Sequence, residues 1–156
     1  MVIAFTGHST LSPYSEEIAE KLKNTISENL PAGEEVTFFC GGYGEFDMLC
    51  AKVCHAMKHN LPHLEIILVT PYITESHQKK LNDDPWVKEM YDGIVYPPLE
   101  TVPLRFAISR RNEWMMENAD LIIAFVTHNY GGAYKALSYA KRRKKKIINL
   151  GGNDLP

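Results

Sequence analysis

Apolar residues gather in five short runs, at positions 2–6, 36–40, 64–69, 121–126 and 147–150, with single polar residues such as Thr37, Glu65 and Asn149 inside them. Each is too short for a helix of ordinary length. None alternates with polar residues, as a half-exposed strand would. The pattern predicts strands buried on both faces. Between them the period changes. Ile18, Leu22, Ile26 and Leu30 recur every four residues, with Glu16, Glu17, Glu20 and Lys23 on the other face and Ser12-Pro13 as the opening. A second stripe of Phe46, Leu49, Cys50, Val53 and Met57 starts from Glu45 and stops at Asn60 and Pro62. Both stripes predict amphipathic helices. A further helix is expected over 105–118. Another opens at Gly131-Gly132 and carries Ala133, Ala136, Leu137 and Ala140 inward. Residues 75–103 follow no regular pattern beyond a short strand expected at 94–96.

Strand and helix thus alternate through the chain, which predicts an α/β fold. It is a doubly wound, mostly parallel sheet with helices on both faces, in a single domain over residues 1–150 followed by a tail at 151–156. In such a sheet the C-terminal ends of the strands share one edge, and ligands bind there near the switch in strand order.

Composition narrows this modestly. The 156 residues are 45% hydrophobic and 23% charged, which excludes intrinsic disorder for most of the chain. Seventeen basic and nineteen acidic residues give a net charge of -2, which argues against a nucleic-acid partner held by bulk charge. Cys40, Cys50 and Cys54 are odd in number and sit in apolar stretches, so they are expected to be reduced in a cytoplasmic protein. No apolar run reaches the ~18 residues of a membrane span. The first residues read as a strand rather than a signal peptide.

Candidate chemistry lies in three glycine-bearing turns after strands. These are Gly7-His8-Ser9, Gly41-Gly42-Tyr43-Gly44, and Gly131-Gly132 after Asn129-Tyr130. Glycine lets a ligand approach the backbone, and a following helix offers free N–H groups to an anion. Their convergence predicts a site for a phosphate-bearing ligand. None is a Walker loop or a full G-x-G-x-x-G, so a P-loop NTPase and an ordinary NAD dehydrogenase are disfavoured. Of Arg110 and Arg111, about 100° apart on a helix, at most one faces such a site. Arg105 is another candidate cation. Glu45 and Asp47 either cap a helix N-terminus, bond a ribose hydroxyl or do acid–base work. His8 and His128 lie in candidate ligand loops. His55, His59 and His63 are spaced by four, but Pro62 interrupts the helix, and no metal site is expected. Residues 141–146 are six consecutive cations at a helix C-terminus, expected as a solvated turn away from the ligand edge, with a patch for nucleic acid or another anionic partner as the alternative.

Taken together, Phe5-Thr6-Gly7-His8-Ser9, Cys40-Gly41-Gly42-Tyr43-Gly44-Glu45-Phe46-Asp47, Arg111-Asn112-Glu113-Trp114-Met115 and Ala119 to Ala124 resemble the SLOG superfamily. That group unites the SMF/DprA DNA-processing proteins and the LOG cytokinin-activating proteins. The small stand-alone bacterial branch is the most similar, and Gly131-Gly132-Ala133 through Lys141 fits it too. The resemblance implies a Rossmann-like domain that binds a nucleotide or nucleotide-derived ligand, in some relatives as a sensor, and often self-associates.

Within that resemblance, the ligand-binding positions are Thr6, Gly7, His8, Ser9, Gly41, Gly42, Tyr43, Gly44, Glu45, Asp47, Arg111, Asn112, Thr127, Gly131, Gly132 and Lys135. No separate cofactor is implied beyond the nucleotide-like ligand. LOG proteins carry P-G-G-x-G-T-x-x-E. Here Tyr130, Tyr134, Lys135 and Ser138 replace the proline, the third glycine, the threonine and the catalytic glutamate. Ser9 stands where the branch usually has arginine. These departures favour a binding protein, and a homodimer is expected. The alternative is a nucleoside or nucleotide N-glycosidase, of LOG-like phosphoribohydrolase or deoxyribosyltransferase-like type, with Glu45 or Asp47 as the weak catalytic candidates.

Overall fold

The computed structural model describes residues 1–11, 13 and 15–152. Six parallel strands form one sheet: β1 (Val2–Gly7), β2 (Val36–Cys40), β3 (Leu64–Val69), β4 (Gly93–Val95), β5 (Leu121–Phe125) and β6 (Lys146–Asn149). The helices are α1 (Ser15–Asn29), α2 (Glu45–Lys58), α3 (Glu75–Asp83), α4 (Pro85–Met90), α5 (Ala107–Glu117) and α6 (Gly131–Arg142). Strand order is β4-β3-β2-β1-β5-β6. The chain winds outward from β1 to β4, then returns to the other side of β1. The switch in order therefore falls between β1 and β5, where Ile3 to Gly7 pair with Leu121 to Phe125. The runs of β1, β2, β3 and β5 became largely buried strands, whereas 147–150 falls on the edge strand β6, which buries no residue fully.

Side chains of β1 alternate between two cores. Ile3 and Phe5 pack with Ile18, Leu22 and Ile26 of α1 and with Phe46, Cys50 and Cys54 of α2. Ala4 packs with Met115 and Met116 of α5 and with Ala136 and Ala140 of α6. Helices thus lie on both faces, as the alternation predicts. Trp114, partly buried, stacks on Phe39 at 5.5 Å and packs against the cluster that holds the buried Met115 and Met116. All three cysteines are buried free thiols, and burial raises the thiol pKa of each.

The irregular stretch holds two short helices and an edge strand. Pro85 takes the first turn of α4, capped by the Asp84 carboxylate on the Trp86 N–H. The helix expected over 105–118 is α5, preceded by a 3-10 turn at Leu104–Phe106. Ser12, expected to open α1, lies outside the described residues, as do residues 153–156 of the tail. Gly151 and Gly152 are held by Asn149: its Oδ1 accepts from the Gly151 N–H, and its Nδ2 donates to the Gly152 carbonyl. Among the described residues, no helix is long and apolar enough to cross a membrane.

Candidate functional site

A cavity of about 500 Å³ opens at the C-terminal edge of the sheet, at the β1/β5 switch. The loop after β1 brings Thr6, Gly7, His8 and Ser9 to it. Gly41, Tyr43 and Asp47 come from the β2–α2 turn, Arg111 and Asn112 from α5, and Gly131 and Gly132 from the start of α6. These eleven candidates from four segments far apart in sequence share one space.

Five candidates do not line it. Gly42 and Gly44 shape the β2–α2 turn, and a Cβ on Gly44 would lie 2.8 Å from the Cα of Ser9. The Glu45 N–H donates to the Ser9 carbonyl at 2.9 Å, and its carboxylate accepts from the Leu11 N–H. Glu45 therefore staples the β1–α1 loop to α2, a structural use that competes with the ribose or acid–base roles considered for it. Thr127 uses its N–H on His8. Lys135 lies in a neighbouring cavity of about 490 Å³ between α5 and α6, with Ser138 and Arg142. The reason is helical phase: positions 135, 138 and 142 share the α6 face that looks toward α5. The two cavities share Asn112 and Gly132.

Arg111 is the arginine of the pair that turns inward. It is 3% exposed, and its Nη1 donates to the carbonyls of Gly41 and Val69 at 2.8 Å each. Its Nε donates to Asn112 Oδ1. Nη2 takes part in none of these three bonds. Arg110 stays outside, 3.8 Å from Glu113. Asp47 is buried beside Arg111, and its Oδ2 accepts the Tyr43 N–H at 3.0 Å. Burial lifts its carboxyl to about 6, against the opposing pull of that N–H and of Arg111. A cation and a carboxylate that titrates near neutrality thus sit together under the Gly41 backbone.

The helix N-termini at this edge are not equivalent. The first N–H of α2 is taken by Ser9, and the Tyr43 N–H just before it by Asp47. At α6 the N-cap residue Tyr130 makes no side-chain cap bond, and among the described residues nothing lies within 4 Å of a Cβ placed on Gly131 or Gly132. The open backbone donors therefore lie at Gly131-Gly132.

Two site features escaped the sequence reading. Tyr130 and Ile108 also line the cavity. Tyr130 immediately precedes the Gly-Gly pair, so its position was a readable signal. His128, expected in a candidate ligand loop, lines the cavity and stacks between His8 and Tyr130. The His8 Nε2 accepts the Thr127 N–H at 2.8 Å, which fixes the acceptor nitrogen of a neutral imidazole. Burial, then the neighbouring His128, lowers its pKa.

The basic run is partly engaged. Lys145 donates to the carbonyls of Glu117 and Ala119 at the end of α5, and Arg143 pairs with Glu117 at 3.2 Å. Lys141, Arg142, Lys144 and Lys146 are exposed. His55 and His59 sit on the far part of α2, and among the described residues no three His, Cys, Asp or Glu side chains are placed to hold a metal ion.

No family model matches the chain. It is 24% identical over 144 residues to the uncharacterized SPbeta prophage-derived protein YoqJ of Bacillus subtilis (strain 168), spanning 84% of each chain. Among solved structures it is similar to DNA processing protein A of Helicobacter pylori, with TM-score 0.64 and 17% identity over 98% of this chain and 66% of that one. DprA of Streptococcus pneumoniae gives 0.65 and 16%, over 97% of this chain and 50% of that one. TM1055 gives 0.57 and 16%, over 94% and 72%. The chain spans two thirds or less of the two DNA-processing proteins.

The Helicobacter pylori protein binds single-stranded DNA. The expectation that net charge disfavours nucleic acid is therefore corrected. A whole-chain charge of -2 averages over local cation clusters such as residues 141–146, and binding responds to the local field. With its strand order and these likenesses, the chain shares the Rossmann-like α/β fold of these solved structures.

Proposed function

We propose that the chain binds a nucleotide or nucleotide-derived ligand, with a phosphate at Gly131-Gly132. The observation that carries this reading is the uncapped start of α6, which opens onto the β1/β5 cavity close to the buried guanidinium of Arg111. Free N–H groups and the helix dipole favour an anion there. A cavity of about 500 Å³ is of a size suited to small-molecule ligands. Asp47 is the carboxylate nearest a ribose hydroxyl role. Binding without cleavage is favoured because Ser138 replaces the LOG glutamate and lies in the neighbouring cavity.

The likeness to DNA processing protein A favours a second reading. Here the ligand is a single-stranded polynucleotide whose next phosphates follow α6 past Lys135 and Arg142. Ligand-observed proton NMR separates the readings. The mixture holds nucleoside monophosphates, dinucleotides, cyclic nucleotides and ADP-ribose, with a thymidine oligonucleotide run in parallel, all followed for hours. Broadening of small ligands with constant anomeric signals is expected. Broadening of the oligonucleotide alone selects the second reading. Loss of anomeric signals makes the protein a glycosidase. No broadening of any probe overturns the site.

A further inference from the structure

We infer that Tyr130 is a stacking platform for a nucleobase, so that the site selects a base-bearing phosphate over a sugar phosphate. The inference rests on the phosphate site proposed above. Three rings form a column: His8 on His128 at 3.7 Å and 7°, and His128 with Tyr130 at 3.9 Å and 26°. The inner end is fixed, because His8 is buried and accepts the Thr127 N–H. The outer end is open, with Tyr130 66% exposed. Among the described residues no further ring stacks on Tyr130.

A large aromatic held on a rigid column and left to solvent is a surface for another planar ring. Its place in the chain says what that ring carries. Tyr130 directly precedes Gly131, the first residue of α6, so the ring borders the N–H groups assigned to phosphate. A group that is aromatic at one end and phosphorylated at the other spans both. That description fits a nucleotide, and a sugar phosphate lacks the aromatic half. Stacking on a tyrosine face discriminates weakly between bases, so the platform tolerates purines and pyrimidines. Tyr43, 64% exposed on the β2–α2 side of the same cavity, is the rival platform.

The test titrates the wild type, Tyr130→Ala, Tyr130→Phe and Tyr43→Ala with AMP, UMP and ribose 5-phosphate. Both nucleotides are expected to bind wild type roughly tenfold or more tighter than ribose 5-phosphate, the stacking contribution converted to affinity. Tyr130→Ala should remove that margin and leave ribose 5-phosphate within about twofold, while Tyr130→Phe keeps it. Adenine H2 and H8 of bound AMP should shift upfield in wild type and Tyr130→Phe only. Equal wild-type affinity for AMP and ribose 5-phosphate overturns the platform and leaves the phosphate site standing. So does a margin lost in Tyr43→Ala but kept in Tyr130→Ala. Failure of all three probes to bind removes the phosphate site and the platform with it. The wild-type comparison decides the matter even if a variant does not fold.

Discussion

Arg111 Nη1 donates to the carbonyl of Gly41 at 2.8 Å, tying α5 to the end of β2. The same nitrogen reaches Val69 at the end of β3. The guanidinium that borders the cavity is thus also a clamp on the sheet edge. Arg111→Ala is expected to destabilise the fold by about 3–5 kcal/mol, because two carbonyls lose their donor and Asp47 loses its cation. Arg111→Lys recovers part of this, since an ammonium cannot span the fork. Urea unfolding measures both. A loss under about 1 kcal/mol for the alanine variant contradicts the clamp.

Asp47 gives the protein a pH dependence of definite sign. Burial holds its folded pKa at about 6, above the unfolded value near 3.8. The folded state then binds the proton more tightly, and stability falls as pH rises from about 4 to about 6. The unfolding free energy of wild type relative to Asp47→Asn should drop by roughly 2 kcal/mol between pH 4 and pH 7. A flat or rising difference refutes this.

His8 acts in the opposite sense. Burial, then His128, depresses its pKa, so its contribution is present above the unfolded value near 6.5 and fades as pH falls. His8→Phe keeps a ring in the column but removes the acceptor of the Thr127 N–H. That variant should lose about 1–2 kcal/mol at pH 7.5 and less at pH 5.5. Hydrogen exchange at the Thr127 amide, faster in the variant, reports the same bond locally.

Gly7 makes room for α2. A Cβ there would lie 2.2 Å from the ring of Phe46, which is fully buried. Gly7→Ala should cost about 3 kcal/mol or more, through overpacking and the displacement of a core ring. Adding Phe46→Leu should restore part of the loss, read as the midpoint of thermal unfolding. A double variant less stable than either single change would exclude this contact as the cause.

Gly132→Pro isolates the phosphate donors. Proline is tolerated in the first turn of a helix, and Gly131, at φ 89°, already holds a conformation outside the helical region that a following proline disfavours. The substitution removes one backbone N–H from the open end of α6. Stability should change by under about 1 kcal/mol, while phosphate-bearing probes bind several-fold more weakly. Unchanged affinity by calorimetry would move the phosphate elsewhere in the cavity.

Much of this architecture is legible in the chain. Continuous runs such as Leu121 to Val126 leave no face for water, so they read as central strands without any tertiary knowledge. Gly7, Gly41 and Gly131 mark the turns that meet at the cavity, because strand polarity alone sends those turns to one edge. The helices of the 75–103 stretch were not legible. α3 buries no residue fully, and α4 has six residues, too few for a helical period to stand out.

What the sequence determined by itself was the long strands and the helices outside 75–103, their parallel sense and the edge where ligands gather, since these follow from periodicity, chain direction and the hand of crossovers. Only the tertiary structure decided the use of each polar group. Glu45 went to the Leu11 N–H, Lys135 to the neighbouring cavity and Arg111 to two carbonyls, because hydrogen-bond partners are set by distances between segments far apart in sequence. The ring column of His8, His128 and Tyr130 has the same origin: two loops about 120 positions apart meet only once β1 and β5 pair.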